Sequence, residues 1–362
     1  MHKVLILGAG KIGSLISVLL ANSNDYQVTL ADINVDNDYL KRIKAKTANL
    51  ELVQLDAQNH DMMSNYLSKK TTQTIISSLP FYCNIPVAKL AQAFNLNYFD
   101  LTEDTHVTST ITELSKKASG TFVPQCGLAP GFISIVANDL MQHFPTLDTV
   151  KMRVGALPVN ISNALQYSLT WSTDGLINEY GNLCNAIENS EEVRLLPLDD
   201  LEEIKVDGLT YEAFNTSGGI GSLADSYYGK VKSMSYKTIR YPGHCSKMRF
   251  LMNDLKLNYD RDTLKRILEN TLPKTSQDVV LVYVSVTGVR DQQYCEENYV
   301  KKFYPKKING QRWSAIQLTT ASAMCTAVDL VINNPKKYSG LVRQEQFTLE
   351  DLTTNRFGEY YA

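Results

Sequence analysis

The run Val4-Leu-Ile-Leu7-Gly8-Ala-Gly10-Lys-Ile-Gly13 decides the fold, because an apolar strand passes straight into a glycine-spaced turn. A second apolar run, Val28–Ala31, ends on Asp32. In a turn of this kind the first glycine, Gly8, permits a tight bend. The second, Gly10, lets backbone approach a pyrophosphate, and Gly13 lets helix and strand pack closely. The phosphates then meet the N–H groups at the start of the following helix, where Lys11 and Ile12 stand. An acid at the end of the next strand suits the two ribose hydroxyls, and Asp32 is so placed. Strand, glycines, helix, strand and acid together predict dinucleotide binding. A 2′-phosphate would be repelled by Asp32, and Ile33-Asn34-Val35 supply no cation beside it, which favours NAD over NADP.

Outward from this stretch, the first 125 residues alternate short apolar runs with amphipathic stretches of helix length. The runs are Val4–Leu7, Val28–Ala31, Leu50–Leu55, Thr74–Leu79, Tyr98–Leu101 and Thr121–Pro124. Helical patterns lie near 12–21, 37–46, 59–69, 84–95 and 105–118. Such alternation predicts an α/β fold: a Rossmann domain with a parallel sheet covered on both faces. Two further cofactor positions follow. Asp56, after the third run, can bond an adenine amine or stand as a solvated turn acid. Ser78-Leu79-Pro80 ends the fourth run, either beside the nicotinamide or as a plain strand stop.

Beyond about Val150 the pattern changes. Val279-Val-Leu-Val-Tyr-Val-Ser-Val-Thr287 reads as a long strand of an antiparallel sheet. The expected second domain is α+β, with a mixed, largely antiparallel sheet. A last helix over about Thr319–Asn333 stops before Pro335. The boundaries that follow are 1–125 for the Rossmann domain and 126–318 for the substrate domain. Residues 319–362 form a C-terminal helix and tail, with a possible return to the first domain.

Composition narrows the partners. Thirty-six basic against 38 acidic residues give a net charge of −2, and no basic block is long. That argues against nucleic acid and against a polybasic membrane patch, and for a small molecule. The first strand begins at Lys3, leaving no room for a signal peptide, and no stretch approaches the ~20 apolar residues of a spanning helix. Six scattered cysteines, with no Cys-x-x-Cys pair, read as reduced thiols of a cytoplasmic protein and not as a zinc site or any other metal site.

Several motifs carry polar groups fit for a reaction site. Tyr98-Phe-Asp-Leu-Thr-Glu-Asp104 places Asp100 and Glu103 at a strand end, as proton acceptors or ammonium binders; Thr102 or Asp104 equally suits a helix cap. Cys126-Gly-Leu-Ala-Pro-Gly131 places Cys126 at another strand end, to touch substrate or to fill space. Trp171 and Ser172 suit a pocket wall, although a tryptophan also suits a core. Glu212-Ala-Phe-Asn-Thr-Ser-Gly-Gly219 offers Asn215 and Thr216 as an anion pocket or a plain turn. Tyr236-Lys-Thr-Ile-Arg-Tyr-Pro-Gly-His244 brings Arg240 as a carboxylate fork and His244 as an acid/base or a cap.

Taken together, Gly8–Gly13, Asn163–Trp171 and these later motifs make the chain resemble the saccharopine dehydrogenase family, over nearly its whole length. The resemblance implies NAD(P)-dependent oxidation at a C–N bond of a lysine-derived amine, by hydride transfer and imine hydrolysis. Its first implication is saccharopine oxidation to L-glutamate and 2-aminoadipate 6-semialdehyde. The family also contains enzymes that deaminate the ε-amine of L-lysine, which is the second reading. Members often dimerise, so a homodimer is implied. Larger eukaryotic members carry an acid before Pro-Gly, where this chain has Ala129. A reading of another class is a dinucleotide sensor without turnover, against which the furnished second motif set counts.

Overall fold

The computed structural model describes all 362 residues. The chain divides into two compact units. One contains Met1–Leu128 and Gln317–Ala362, the other Ala129–Ile316.

The first unit starts with β1 (His2–Leu7), α1 (Lys11–Asn22), β2 (Tyr26–Asp32), α2 (Asp38–Ala45) and β3 (Leu50–Gln54). It continues with α3 (His60–Lys69), β4 (Thr74–Ser77), α4 (Asn84–Ala93), β5 (Asn97–Asp100), α5 (Thr105–Ser115) and β6 (Phe122–Val123). The six strands are all parallel, in the order β3-β2-β1-β4-β5-β6. This is the doubly wound Rossmann order, which reverses direction between β1 and β4. Strand interiors such as Val4–Leu7 and Ile75–Ile76 are buried without alternation, as a sheet covered on both faces requires. Asn37, Asn59 and Asp104 accept the N–H of Leu40, Met62 and Val107 and so start α2, α3 and α5. Of the two cap candidates before α5, Asp104 is therefore the one used.

The second unit holds α6 (Phe132–Met141), β7 (Thr146–Pro158), α7 (Thr173–Gly181), β8 (Cys184–Glu188), β9 (Glu191–Leu195), β10 (Glu202–Val206) and β11 (Leu209–Asn215). It adds α8 (Leu223–Tyr227), β12 (Val231–Arg240), α9 (His244–Arg249), α10 (Arg261–Thr271), β13 (Asp278–Arg290) and β14 (Gln293–Phe303). A mixed, eight-stranded sheet runs β10-β11-β12-β7-β13-β14, with β8 attached to β12 and β9 to β8. Only β12 and β7 pair in parallel; the remaining pairs are antiparallel. Phe214 of β11 packs with Leu176, Tyr180, Met248 and Leu264, so α7, α9 and α10 share one core with the sheet. Each such side chain contributes roughly 1.5–3 kcal/mol on burial.

The last long helix, Ala315–Asn333, begins where Asp278 accepts the N–H groups of Ala315 (2.7 Å) and Ile316 (3.0 Å). It corrects the expectation that no segment approaches a spanning helix: by length and composition this one qualifies. Yet 83% of its apolar window is buried, as in the core helix of a folded unit. Its Asp329 accepts the Tyr26 hydroxyl (2.7 Å) and Asn355 (2.8 Å), and pairs with Arg356 at 2.6 Å. The C-terminal residues are thereby tied to the Rossmann sheet.

Candidate active site

The glycine loop shows a division of labour among its three glycines. Gly8 has φ +96°, and a Cβ there would lie 2.6 Å from the Ser78 carbonyl oxygen. A Cβ on Gly13 would meet the Gly8 oxygen at 1.9 Å. Gly10 is different, since nothing lies within 4 Å of a Cβ built on it. That open space, at the N-cap of α1, is the cradle a pyrophosphate needs, so the loop fits a dinucleotide. Lys11 and Ile12 open the helix. Ser78, Leu79 and Pro80 follow β4 half-buried, with the Ser78 N–H on the Leu7 oxygen, at the reversal point of the sheet.

Asp32 ends β2, its carboxylate accepting the N–H groups of Ala9 (2.7 Å) and Asn34 (3.1 Å). The acid is thus held next to the loop. Asp56 lies two residues past β3 and accepts the Gln58 N–H at 2.9 Å. That bond is the one a turn acid makes.

Two proposed reacting groups of the first unit prove to be interior. Asp100 is fully buried, and its carboxylate accepts the N–H groups of Thr102 and Gln125, both at 3.0 Å, and the Tyr98 hydroxyl at 2.8 Å. Burial pushes its carboxyl up to about 6 against those three bonds. It ties β5 to the segment after β6, which corrects its reading as a base open to substrate. Cys126 is equally buried, bonded to the Val123 oxygen and to Gln344, and burial raises its thiol well above the usual range. A thiol kept protonated in apolar surroundings is inert. Glu103 stands half-buried between β5 and α5.

In the second unit, Arg240, His244 and Trp171 do come together. Arg240 is the last residue of β12 and is buried. Its guanidinium lies 5.1 Å from the Tyr167 ring centroid and 5.8 Å from that of Tyr180. Nε donates to the Tyr180 hydroxyl (2.8 Å) and Nη1 to the Ile239 oxygen (2.8 Å). These bonds engage Nε and Nη1 and not the Nη2 end of the fork. Trp171 donates to the Tyr167 hydroxyl at 3.2 Å and so walls the same cluster. Burial presses the Arg240 pKa down, but Tyr180, Tyr167 and the buried Glu179, in that order, raise it, and the net direction is up.

The bend after β12 has its own support. Gly243, at φ +89°, is the N-cap of α9, so His244 is the first helical residue and not the cap. Glu212 of β11 accepts the N–H groups of Gly243 (2.7 Å) and Cys245 (2.6 Å), fixing the turn. His244 Nδ1 donates to the Leu165 oxygen (2.7 Å), and its Nε2 faces the Tyr180 hydroxyl (3.2 Å). Burial and the Arg240 charge press its pKa down to about 3.

The remaining candidates separate. Ser172 is exposed and caps α7 by accepting the Gly175 N–H, which corrects its place in a pocket wall. Thr216 pairs with Thr238 at 2.8 Å. The helix after Gly219 begins only at Leu223 and has five residues, too little for an anion site. Asn215 keeps a function open, because its buried Oδ1 has no hydrogen-bond partner. Three further cations of this unit are committed to acids: Arg153 pairs with Glu202, Lys237 with Asp200 (2.7 Å) and Glu202 (3.2 Å), and Arg249 with Asp199 on the surface. Sequence reasoning passed over Tyr167 and Glu212, although both lie inside quoted motifs, and over Glu179 and Tyr180, which no local motif announces. Tyr98 carried a signal, since residues two apart on a strand share a face.

A Rossmann sheet with its glycine loop, joined in one chain to a mixed sheet bearing a buried arginine, defines a two-domain pyridine-nucleotide oxidoreductase. The model for the saccharopine dehydrogenase NADP binding domain matches residues 4–123, and that for the saccharopine dehydrogenase C-terminal domain matches residues 127–359. The chain belongs to the saccharopine dehydrogenase family.

An alpha-aminoadipic semialdehyde synthase of Arabidopsis thaliana is 25% identical over 315 residues, or 76% of this chain. The chain spans 29% of that protein's length. Apo saccharopine dehydrogenase (L-Glu forming) from Saccharomyces cerevisiae shares the fold at TM-score 0.76 and 16% identity, covering 97% of this chain and 95% of its own. A homospermidine synthase from Legionella pneumophila, solved with NAD, has TM-score 0.69 and 13% identity over 99% of this chain and 89% of its own.

Proposed function

We propose that the protein is an NAD-dependent dehydrogenase that oxidises saccharopine to L-glutamate and 2-aminoadipate 6-semialdehyde. The observation that carries this reading is the buried Arg240, whose Nη2 end stays uncommitted between two aromatic rings. A planar fork matches a carboxylate, and Nη2 is the end of the fork that no protein acceptor meets. NAD, when bound, supplies the hydride acceptor. Gly8–Gly13 and Asp32 would hold it, and Asp32 beside the exposed Ile33 disfavours a 2′-phosphate although the domain model is named for NADP. Arg240 binds and orients a substrate carboxylate. Asn215 offers its unpartnered oxygen to a substrate donor such as an amine. Glu103, half-buried between β5 and α5, is the proton acceptor we retain.

Arg153, Lys237 and Arg249 are each paired with acids and so add nothing to a preference for saccharopine over lysine. The preference now rests on Arg240 and on family membership. Oxidation of the lysine ε-amine is the second reading, favoured by the buried acid Glu179 near that arginine. The deciding experiment supplies purified protein with NAD or NADP and with saccharopine or L-lysine, and follows reduced-cofactor absorbance. Turnover of saccharopine with NAD is expected. Turnover of lysine alone reverses the order of the two readings, and no turnover with either substrate leaves a dinucleotide sensor.

A further inference from the structure

Arg240, Tyr180, His244 and Leu165 form a buried chain in which every proton has one consistent place. A guanidinium has no acceptor, so Arg240 Nε donates to the Tyr180 oxygen at 2.8 Å. The Tyr180 proton then points to His244 Nε2 at 3.2 Å, and that nitrogen accepts. The imidazole proton therefore sits on Nδ1, which donates to the Leu165 oxygen at 2.7 Å. Both ring nitrogens are taken up by protein. Phe214 stacks on the imidazole, with centroids 6.2 Å apart and planes 15° apart, and Tyr167 covers it at 5.3 Å.

We infer that His244 and Tyr180 are positioning residues, which hold the Arg240 guanidinium for a substrate carboxylate, and that His244 exchanges no proton with substrate. This rests on the reading of Arg240 as the carboxylate site. A second proton on His244 would leave the Tyr180 hydroxyl proton without its acceptor. It would also place a second cation beside Arg240 of β12 and Lys247 of its own helix, against Tyr180 of α7 and Tyr167 of the preceding loop. Two of those neighbours are cationic, and both press against protonation; the Leu165 carbonyl is the group that favours it. Tyr180 is no better a relay, because burial holds its hydroxyl protonated well above the usual range, against the pull of Arg240.

The test separates orientation from acid–base chemistry. Tyr180→Phe keeps the ring under the guanidinium and removes one charge-assisted bond. KM for the amino-acid substrate should rise by about 10-fold, with kcat and NAD affinity within about twofold of the parent. The shape of the kcat/KM pH profile should not change. In an Arg240→Met background the same substitution should add nothing, since the group being positioned is gone. In nitrogen-15 spectra of the unaltered enzyme, His244 should remain the neutral Nδ1–H tautomer from about pH 5 to 9.

The inference is overturned if His244 titrates with a midpoint near ~6.5 that matches a limb of the profile. It is overturned equally if Tyr180→Phe lowers kcat while KM stays. A KM effect of Tyr180→Phe that persists in the Arg240→Met background defeats the positioning claim but leaves the carboxylate reading standing. An Arg240→Met variant with unchanged KM defeats that reading itself. The spectra need no variant to fold, so they decide the proton's place in any case.

Discussion

On the proposed reading, the glycine loop and the Arg240 cluster would solve recognition in opposite ways. The loop recognises by absence: Gly10 leaves space, and backbone N–H groups face it. Six consecutive residues suffice. The Arg240 cluster would recognise by furnishing, with groups from the 165–171 loop, α7, β11, β12 and α9. A local conformation suffices for the first, whereas the second exists only once the whole mixed sheet has closed. A single substitution should therefore erase function at the loop and grade it at the cluster.

The largest expected effect is at the loop. Gly10 has φ −68° and ψ −169°, which any residue adopts, so Gly10→Val should fold. Its branched side chain fills the space above the helix N-terminus, and NADH titration should detect no binding. Preserved NADH affinity in a folded variant would break the contrast and free the loop of its assignment.

At the cluster the effect should be graded and should fall on substrate alone. Arg240→Met keeps volume and loses a charge-assisted contact worth roughly 2–3 kcal/mol, so KM for saccharopine should rise ~10²-fold. NAD affinity should stay, since the arginine belongs to the other unit. If cofactor affinity falls in step with KM, the two sites are not separable in the way argued.

That contrast also explains what was legible. The parallel strands, the glycines and Asp32 are consecutive or evenly spaced, and each demand on the backbone is local. The Arg240 turn stood out because Pro242-Gly243 marks it. Tyr180 and Glu179 did not, because helix α7 shows only an ordinary sequence from Thr173 to Gly181. Their importance arises from β12 arriving beside them, sixty residues later in the case of Tyr180 and Arg240. Asp100 misled for a related reason. An acid at a strand end reads as reactive, and only the three donors converging on it from Tyr98, Thr102 and Gln125 reveal a tie. The Ala315–Asn333 helix shows the same limit in reverse, since composition alone does not tell a buried core helix from a spanning one.

A smaller effect sharpens the loop's side of the comparison. Asp32 accepts backbone N–H groups and opposes a 2′-phosphate through its charge. Asp32→Ala with Ile33→Arg should move the NADP-to-NAD ratio of kcat/KM by roughly 10-fold in favour of NADP, the size of one partly screened charge reversal. A parent enzyme already faster with NADP would undo the reading of Asp32.

The smallest effect compares the two units through their buried titrating groups, and here the signs oppose. Asp100, in the first unit, has its folded pKa raised from 3.8 to about 6, chiefly by burial. Its protonated form is favoured by folding, so that stability is fully present below 3.8 and is lost as pH rises through about 6. His244, in the second unit, has its folded pKa lowered from 6.5 to about 3, again chiefly by burial. Its neutral form is favoured by folding, so that stability is present above 6.5 and is lost as pH falls toward about 3. Between those limits the two contributions oppose, and the parent's pH slope understates both. Variants uncover them. Asp100→Asn, which can still accept from Thr102 and Gln125, should gain on the parent as pH rises across the window. His244→Gln should gain on the parent as pH falls. Between about pH 5 and 7 each relative change should be roughly 1–2 kcal/mol, or ~2–8 °C in Tm for a unit of this size. Melting curves of parent and variant at matched pH values read the differences directly. If the Asp100→Asn difference is flat with pH, the carboxyl is not held protonated by its surroundings. If the His244→Gln difference is flat, the imidazole titrates alike folded and unfolded, and the proton order assigned to the Tyr180 chain fails with it.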